Sequence, residues 1–400
     1  MADTFTAIPI CDKVYWVGAI DWAVRDFHGY WTAAGTTYNA YLIVDEKITL
    51  IDTVREGFCD EMMARISSVV PVEDIDYVVC NHAELDHSGA LPRLLRAARP
   101  EKLFTSKAGI KALARHFELD MEATGVGNGE RLSLGQFNLT FVAAAMLHWP
   151  ESMFTYLEEQ GVLFSQDAFG MHLASSERFA NEIADGPLRY EATKYFANIL
   201  APYRKLVLRA IGALQESLPD LAIIAPDHGP VWRQTPERII ELYSRLAEGK
   251  PVTDKAIVVY DTMWKSTERM AHAIGQGLFD GGIHYKMMPL KVWHRSDIAT
   301  ELHNASGLLL GTPTLNNNLF PTVADLLTYL RGLKPVDKVT GVFGSHGWSG
   351  EGVGQAMDAL SAMGLDVVGS VKSQYVPGDE ELGRCRELGQ KVAQRVLQRP

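Results

Sequence analysis

Cysteine is scarce. The 400 residues contain four, Cys11, Cys59, Cys80 and Cys385, and none of them forms a C-x-x-C pair. An iron–sulfur, rubredoxin-type or thioredoxin-type centre within the chain is therefore not expected. Four reduced thiols, as in a cytoplasmic protein, are the expectation. Any redox chemistry has to rest on something other than sulfur. Positive charge is also short: Lys and Arg number 38 against 49 Asp and Glu, for a formal net charge of -11. That balance argues against sequence-independent nucleic-acid binding, which needs a basic face. No apolar run reaches the roughly 18 residues that span a bilayer, so no membrane contact is expected. The opening Met-Ala-Asp-Thr-Phe-Thr lacks a basic segment followed by an apolar core, so no secretory leader is expected. Neither G-x-G-x-x-G nor a Walker sequence occurs, which disfavours a dinucleotide or nucleoside-triphosphate site. There is no tandem repeat and no low-complexity tract.

What remains is ordinary globular composition, 47% hydrophobic and 22% charged. At about 150 residues per domain the length suggests two to three domains. A polar stretch from Leu246 to Asp254, with Gly249 and Pro251 as breakers, marks a boundary. We place the domains at 1–250 and 251–400. In the first, Val14–Val17, Ala40–Val44, Ile48–Ile51, Ile75–Cys80, Phe137–Ala143, Val162–Ser165 and Leu221–Ala225 read as strands. A helix follows Gly89, and Thr193–Glu216 reads as one long amphipathic helix. In the second, strands at Lys255–Tyr260, Leu308–Gly311 and Val339–Phe343 alternate with helices at Glu268–Phe279, Val323–Leu330, Gly352–Met363 and Glu380–Leu397. Alternating strand and helix implies an α/β fold with a doubly wound parallel sheet.

The densest group of metal-capable side chains is His82-Ala-Glu84-Leu-Asp86-His87, directly after the strand ending in Asn81. His148, Asp167 and His228 each follow an apolar strand of their own. If those strands are neighbours, the four segments meet at one edge of a sheet. One such residue alone is usually a surface group, and Asp86 or Asp227 alone is as readily a helix or turn cap. The set of seven is what points to a metal.

The pattern resembles the metallo-β-lactamase-like superfamily, which carries H-x-H-x-D-H and then a distant His, Asp and His. Glu84 stands here in place of the second His. A carboxylate makes the site harder and more anionic. Glu84, Asp86 and Asp167 together with imidazoles suit two irons better than two zincs. H-x-E-x-D-H is the pattern of the flavodiiron proteins. The resemblance implies an αββα sandwich. It gives His82, Glu84 and His148 to one iron and Asp86, His87 and His228 to the other, with Asp167 shared. At the position of His87 a water is the alternative ligand.

In the second half, the strand Val258–Asp261 runs into Thr262, Met263, Trp264, Lys265, Ser266 and Thr267, which open a helix. Such a loop offers N–H groups and hydroxyls to a phosphate, and the helix dipole favours the anion. Two further loops follow buried strands. One holds Pro313, Thr314, Leu315, Asn316 and Asn317. The other holds Ser345, His346, Gly347, Trp348, Ser349 and Gly350. Small residues let a flat ring approach the backbone, Asn side chains read ring carbonyls and nitrogens, and Trp348 can stack on the ring or pack under it. The three loops resemble the flavodoxin fold, whose ligand is FMN.

Within the flavodiiron proteins the chain is similar to the rubredoxin:oxygen oxidoreductases of sulfate-reducing bacteria. Gly18–Trp22, Asp26–Tyr30, Gly35–Asn39, His148-Trp149-Pro150 and Met263-Trp264 carry that likeness. With no rubredoxin or flavin-reductase module before Pro400, a two-domain member is expected. The resemblance implies reduction of dioxygen to water, of nitric oxide to nitrous oxide, or of both. It further implies an external rubredoxin-like donor and a head-to-tail homodimer or a tetramer. His28, Trp149 and Tyr195 are candidates for lining the iron pocket. Two other readings stand beside this one: a zinc hydrolase of the lactamase type with a flavodoxin-like accessory domain, and a carrier that uses FMN alone.

Overall fold

The computed structural model describes residues 5–399 apart from Pro219 and Val252. Met1–Thr4, part of the segment read for a leader, and Val252, within the boundary stretch, lie outside the described residues. Two compact units are present. The first takes the chain up to His28, Thr32–Phe196 and Lys205–Ser244. The second takes Gly29–Trp31, Ala197–Arg204 and the chain from Arg245 onward. Among the described residues no helix is long and apolar enough to cross a membrane.

The first unit is built on two sheets. Seven strands run in the order Ile8–Cys11, Val14–Trp16, Tyr41–Ile43, Thr49–Ile51, Tyr77–Cys80, Lys102–Ser106, Ala123–Val126. Five run in the order Arg131–Ser133, Asn138–Ala143, Met153–Leu157, Val162–Phe164, Ile223–Ala225. Side chains alternate across a strand, and the packing shows it. Tyr41, Ile43, Val79 and Phe104 share a core with Phe141, Met153, Phe164 and Ala225 of the other sheet. Their neighbours Leu42, Val78 and Leu103 face the opposite way, onto Met62 and Ile66 of helix Cys59–Ser67 and Leu91, Leu94 and Leu95 of helix Leu91–Ala98. The sheets thus pack face to face with helices outside the first.

The single helix expected over Thr193–Glu216 is not continuous. An α-helix ends at Tyr195, Phe196–Leu200 is a π-helical turn and Ala201–Tyr203 a 3-10 turn, before an α-helix resumes over Arg204–Ser217. Pro202 is the physical reason, since its ring cannot supply an N–H to an uninterrupted helix.

The second unit has one all-parallel sheet, ordered His284–Pro289, Thr253–Tyr260, Ala305–Gly311, Val339–His346, Asp366–Gln374. Alternate residues of the central strands feed opposite cores, as the strand–helix alternation predicts for a doubly wound sheet. Ile257, Val259, Leu308 and Leu310 pack on helices Arg295–Asn304, Pro321–Leu333 and Glu351–Ala362. Ala256, Val258 and Leu309 pack on helices Ser266–Asp280 and Asp379–Leu397. Strands His284–Pro289 and Asp366–Gln374 carried no strong apolar signal in the sequence because both lie at an edge and are largely half-exposed.

Candidate functional site

Sequence-distant residues converge at one end of the first unit's sandwich. His82 lies two residues past strand Tyr77–Cys80. Glu84 immediately precedes the short helix Leu85–Ser88, which carries Asp86 and His87. His148 occupies the connection between strands Asn138–Ala143 and Met153–Leu157. Asp167 and His228 follow Val162–Phe164 and Ile223–Ala225. All but His148 are buried, and His148 is half-buried.

The donor atoms form two groups. In one, His82, Glu84, His148 and Asp167 each bring a ligand atom within 4.8 Å of the others; Asp86, His87 and His228 do the same in the second. Asp167 joins them. Its Oδ2 lies 3.4 Å from His82 Nε2 and 3.0 Å from His148 Nε2. Its Oδ1 lies 3.1 Å from His87 Nε2 and 3.4 Å from His228 Nε2. Glu84 Oε2 stands 3.2 Å from both His82 and His148, and Asp86 Oδ2 stands 3.2 Å and 3.1 Å from His87 and His228.

Electrostatics reinforce the arrangement. Burial by itself would raise the Asp167 carboxyl, yet His87, His148 and His82 around it hold it well below the usual carboxylate range. Burial would likewise lower His87, but Asp86 and Asp167 push it up to about 10. Both oxygens of Asp86, Oδ1 of Asp167 and Nε2 of His87 are buried with no hydrogen-bond partner among the described residues. Stranding such groups costs several kcal/mol, roughly 2–7 each for neutral polar groups and more for charges, so the donor set fits a bound cation. Four imidazoles and three carboxylates, two clusters and one carboxylate facing both, suit a pair of iron ions.

The pocket candidates lie beside these groups. His28, in left-handed conformation at φ 56°, sets Nε2 2.8 Å from Glu84 Oε1. The Trp149 ring is 5.2 Å from that of His82, edge to face. Tyr195 is buried with its ring 6.1 Å from His228.

Sequence reasoning missed the groups behind the ligands. His82 Nδ1 meets Glu151 Oε1 at 2.8 Å, His228 Nδ1 meets the Thr37 carbonyl at 2.6 Å, and Asp227 Oδ2 stands 3.3 Å from His87 Nδ1. It also missed the buried His172, whose ring is 4.6 Å from that of His228. Burial first, and then His228, hold His172 well below its ordinary range. Only the proximity of Glu151 to His148 and of Asp227 to His228 in the chain hints at their place.

In the second unit the three loops enclose a cavity of about 540 Å³. Met263, Trp264, Ser266, Pro313, Thr314, Leu315, Asn316, Asn317, Ser345, His346, Gly347, Trp348 and Ser349 line it. Tyr375 and Val376, at the end of an edge strand the sequence did not reveal, line it as well. Thr262, Lys265, Thr267 and Gly350 do not. Thr267 is buried with its hydroxyl 3.1 Å from Ser345 Oγ, and Lys265 adopts φ 67° just before helix Ser266–Asp280. Gly350, at φ 83°, opens helix Glu351–Ala362. Thr262 Oγ1 is buried with no hydrogen-bond partner among the described residues, as a hydroxyl kept for a ligand oxygen would be. With the helix N-terminus beside it, this fits a phosphate. Trp264 and Trp348, both lining the cavity, stand 90% and 82% exposed.

The comparisons agree with this division. The model for the ODP family beta lactamase matches residues 36–229 and that for flavodoxin matches 258–389. The chain is 43% identical to a nitric oxide reductase of Moorella thermoacetica, over 97% of this chain and 98% of that one. It is 42% identical to a rubredoxin-oxygen oxidoreductase of Megalodesulfovibrio gigas, over 97% of each. The solved flavodiiron protein of Giardia intestinalis superposes with a TM-score of 0.95 at 31% identity, covering 99% of this chain and 98% of that one.

Proposed function

The chain belongs to the flavodiiron protein family, and we propose that it reduces dioxygen to water, nitric oxide to nitrous oxide, or both. Its electrons come from an external rubredoxin-like carrier and pass through FMN to a di-iron centre. We assign the di-iron half to residues 1–250 and the flavin half to 251–400. The reading rests on Asp167, which turns one carboxylate oxygen to each of two histidine–carboxylate clusters in a chain that also carries a flavodoxin-type cavity. His82, Glu84 and His148 would hold one iron and Asp86, His87 and His228 the other, with Asp167 shared between them. The flavin is held by loops 262–267, 313–317 and 345–350, with Tyr375 beside them.

Bound there, two ferrous ions and a reduced flavin supply the four electrons that take dioxygen to two waters, or the two that join two nitric oxides as nitrous oxide and water. The protein's own work is positional. Glu84 is oriented by His28 from one side and faces His82 and His148 on the other. Trp149 and Tyr195 wall the pocket and limit water. Ser266 would bind the phosphate end of the flavin, with Thr262 just behind it in the same loop, and Asn316 and Asn317 would read its ring edge.

A cytoplasmic protein with no membrane or nucleic-acid partner agrees with the acidic composition. We further propose a head-to-tail homodimer, or a tetramer made of two such dimers, bringing the flavin of one copy to the irons of another. The zinc-hydrolase alternative is not favoured, because a hydrolase has no use for the flavin cavity and Glu84 replaces an imidazole. The experiment is an anaerobic titration of the reduced protein with each gas, following gas loss and flavin oxidation. Turnover of at least one gas is the expected result. Zinc without iron in protein from its native host, or no turnover of either gas, would overturn the reading.

A further inference from the structure

The imidazoles of the metal centre differ in what stands behind them. Nδ1 of His228 meets a backbone carbonyl, that of Thr37, at 2.6 Å. Nδ1 of His87 and Asp227 Oδ2 stand 3.3 Å apart, but among the described residues neither atom is in a hydrogen bond. Among the described residues, His82 is the one imidazole of the centre whose Nδ1 makes a hydrogen bond to a carboxylate, Oε1 of Glu151 at 2.8 Å. Glu151 is itself 4% exposed and fixed from two further sides. The Ala83 N–H donates to the same oxygen at 3.2 Å, and the Ser106 hydroxyl donates to the Glu151 carbonyl at 2.7 Å. A carboxylate held this way selects the Nδ1–H tautomer, fixes the ring plane and makes Nε2 a stronger donor to a metal.

We propose that Glu151 is a positioning residue for the metal centre, strengthening iron binding through His82 alone. The inference rests on the reading of His82 as an iron ligand given above. It assigns to Glu151 no contact with iron, substrate or flavin. Its action is confined to one cluster, because among the described residues His82 is the one imidazole that reaches it, while behind His87 the Asp227 carboxylate stands 3.3 Å away without a hydrogen bond.

A double-mutant cycle separates this role from a merely structural one. The full-length protein, as isolated with iron, is equilibrated anaerobically with graded amounts of a ferrous chelator, and iron retained per chain is measured. In the wild-type background, Glu151→Gln is expected to release one of the two irons at roughly 10- to 100-fold lower chelator, leaving the other unmoved. In the His82→Ala background the same substitution is expected to change iron retention less than about twofold. Equal weakening in both backgrounds, or none in the wild type, would overturn the proposal. Should E151Q not fold, Glu151→Asp, which keeps the charge but withdraws it from Nδ1, carries the same cycle with the same two outcomes. A wild-type chain that binds no iron overturns the functional reading and this inference together. Two bound irons with an unmoved E151Q overturn this inference alone.

Discussion

His28 Nε2 lies 2.8 Å from Glu84 Oε1, although the His28 side chain is largely exposed and Glu84 is buried. The contact turns a surface-side imidazole into the outer support of a metal-facing carboxylate. A hydrogen bond to a charged group is worth about 1.5–3 kcal/mol. We expect His28→Ala to lower turnover roughly 10- to 100-fold while iron content stays at the wild-type level. Steady-state gas consumption alongside metal analysis checks it; loss of iron in step with activity would assign His28 a different role.

Asp167 faces both clusters, with one carboxylate oxygen toward each. Its removal takes away the carboxylate that four Nε2 atoms face and with it the link between the clusters. Asp167→Ala should lose most bound iron and reduce turnover by at least about 1,000-fold, the range in which loss of an essential charged group falls. Flavin absorbance should be unchanged, because the cavity lies in the other unit. If activity survives this substitution, the protein works as a flavin carrier without iron.

Trp348 is a large apolar side chain left 82% exposed at the rim of the flavin cavity. Stacking adds about 0.5–1.5 kcal/mol beyond area burial for aromatic pairs. Trp348→Ala is expected to weaken FMN binding roughly tenfold, read by flavin fluorescence on titration, with the iron centre intact. An unchanged affinity would place the ring elsewhere.

His303 gives the second unit a pH dependence of its own. Burial first, and then Lys338 and Arg204, push its imidazole down to about 4, against a hydrogen bond to the Leu246 carbonyl that acts the other way. The unfolded chain takes up this proton near the ordinary histidine value, so stability is full above about pH 6.5 and falls as pH drops toward 4. Lys338, pushed down to about 7 by burial, acts in the same direction at higher pH. The His303 contribution is of the order of 3 kcal/mol. Denaturant unfolding of the wild type and His303→Gln between pH 4 and 6.5 should show a shallower decline in the variant. Parallel curves would remove His303 as the cause.

Much of the candidate metal cluster was legible because its chemistry is concentrated. Four metal-capable side chains within His82–His87, and three more after apolar strands, announce themselves without a structure. Glu151 was not legible, because a residue that acts through another needs no spacing of its own. The parallel sheet could be read from its fully buried strands. Its edge strand Asp366–Gln374 could not, since polar and half-exposed positions interrupt the apolar run, and Tyr375 and Val376 at the cavity went unread with it. The break near Pro202 was hidden because the apolar positions on either side keep helical spacing while the backbone between them does not.

The most direct test counts electrons. The fully reduced full-length protein, carrying its flavin and irons, is mixed anaerobically with limiting dioxygen and the products are assayed. Two irons acting with one flavin should consume four electrons per dioxygen, leave water as the product, and lose this yield when Asp167 is replaced by Ala. Hydrogen peroxide as the main product, or an unchanged yield in that variant, would show that the flavin reacts with oxygen by itself.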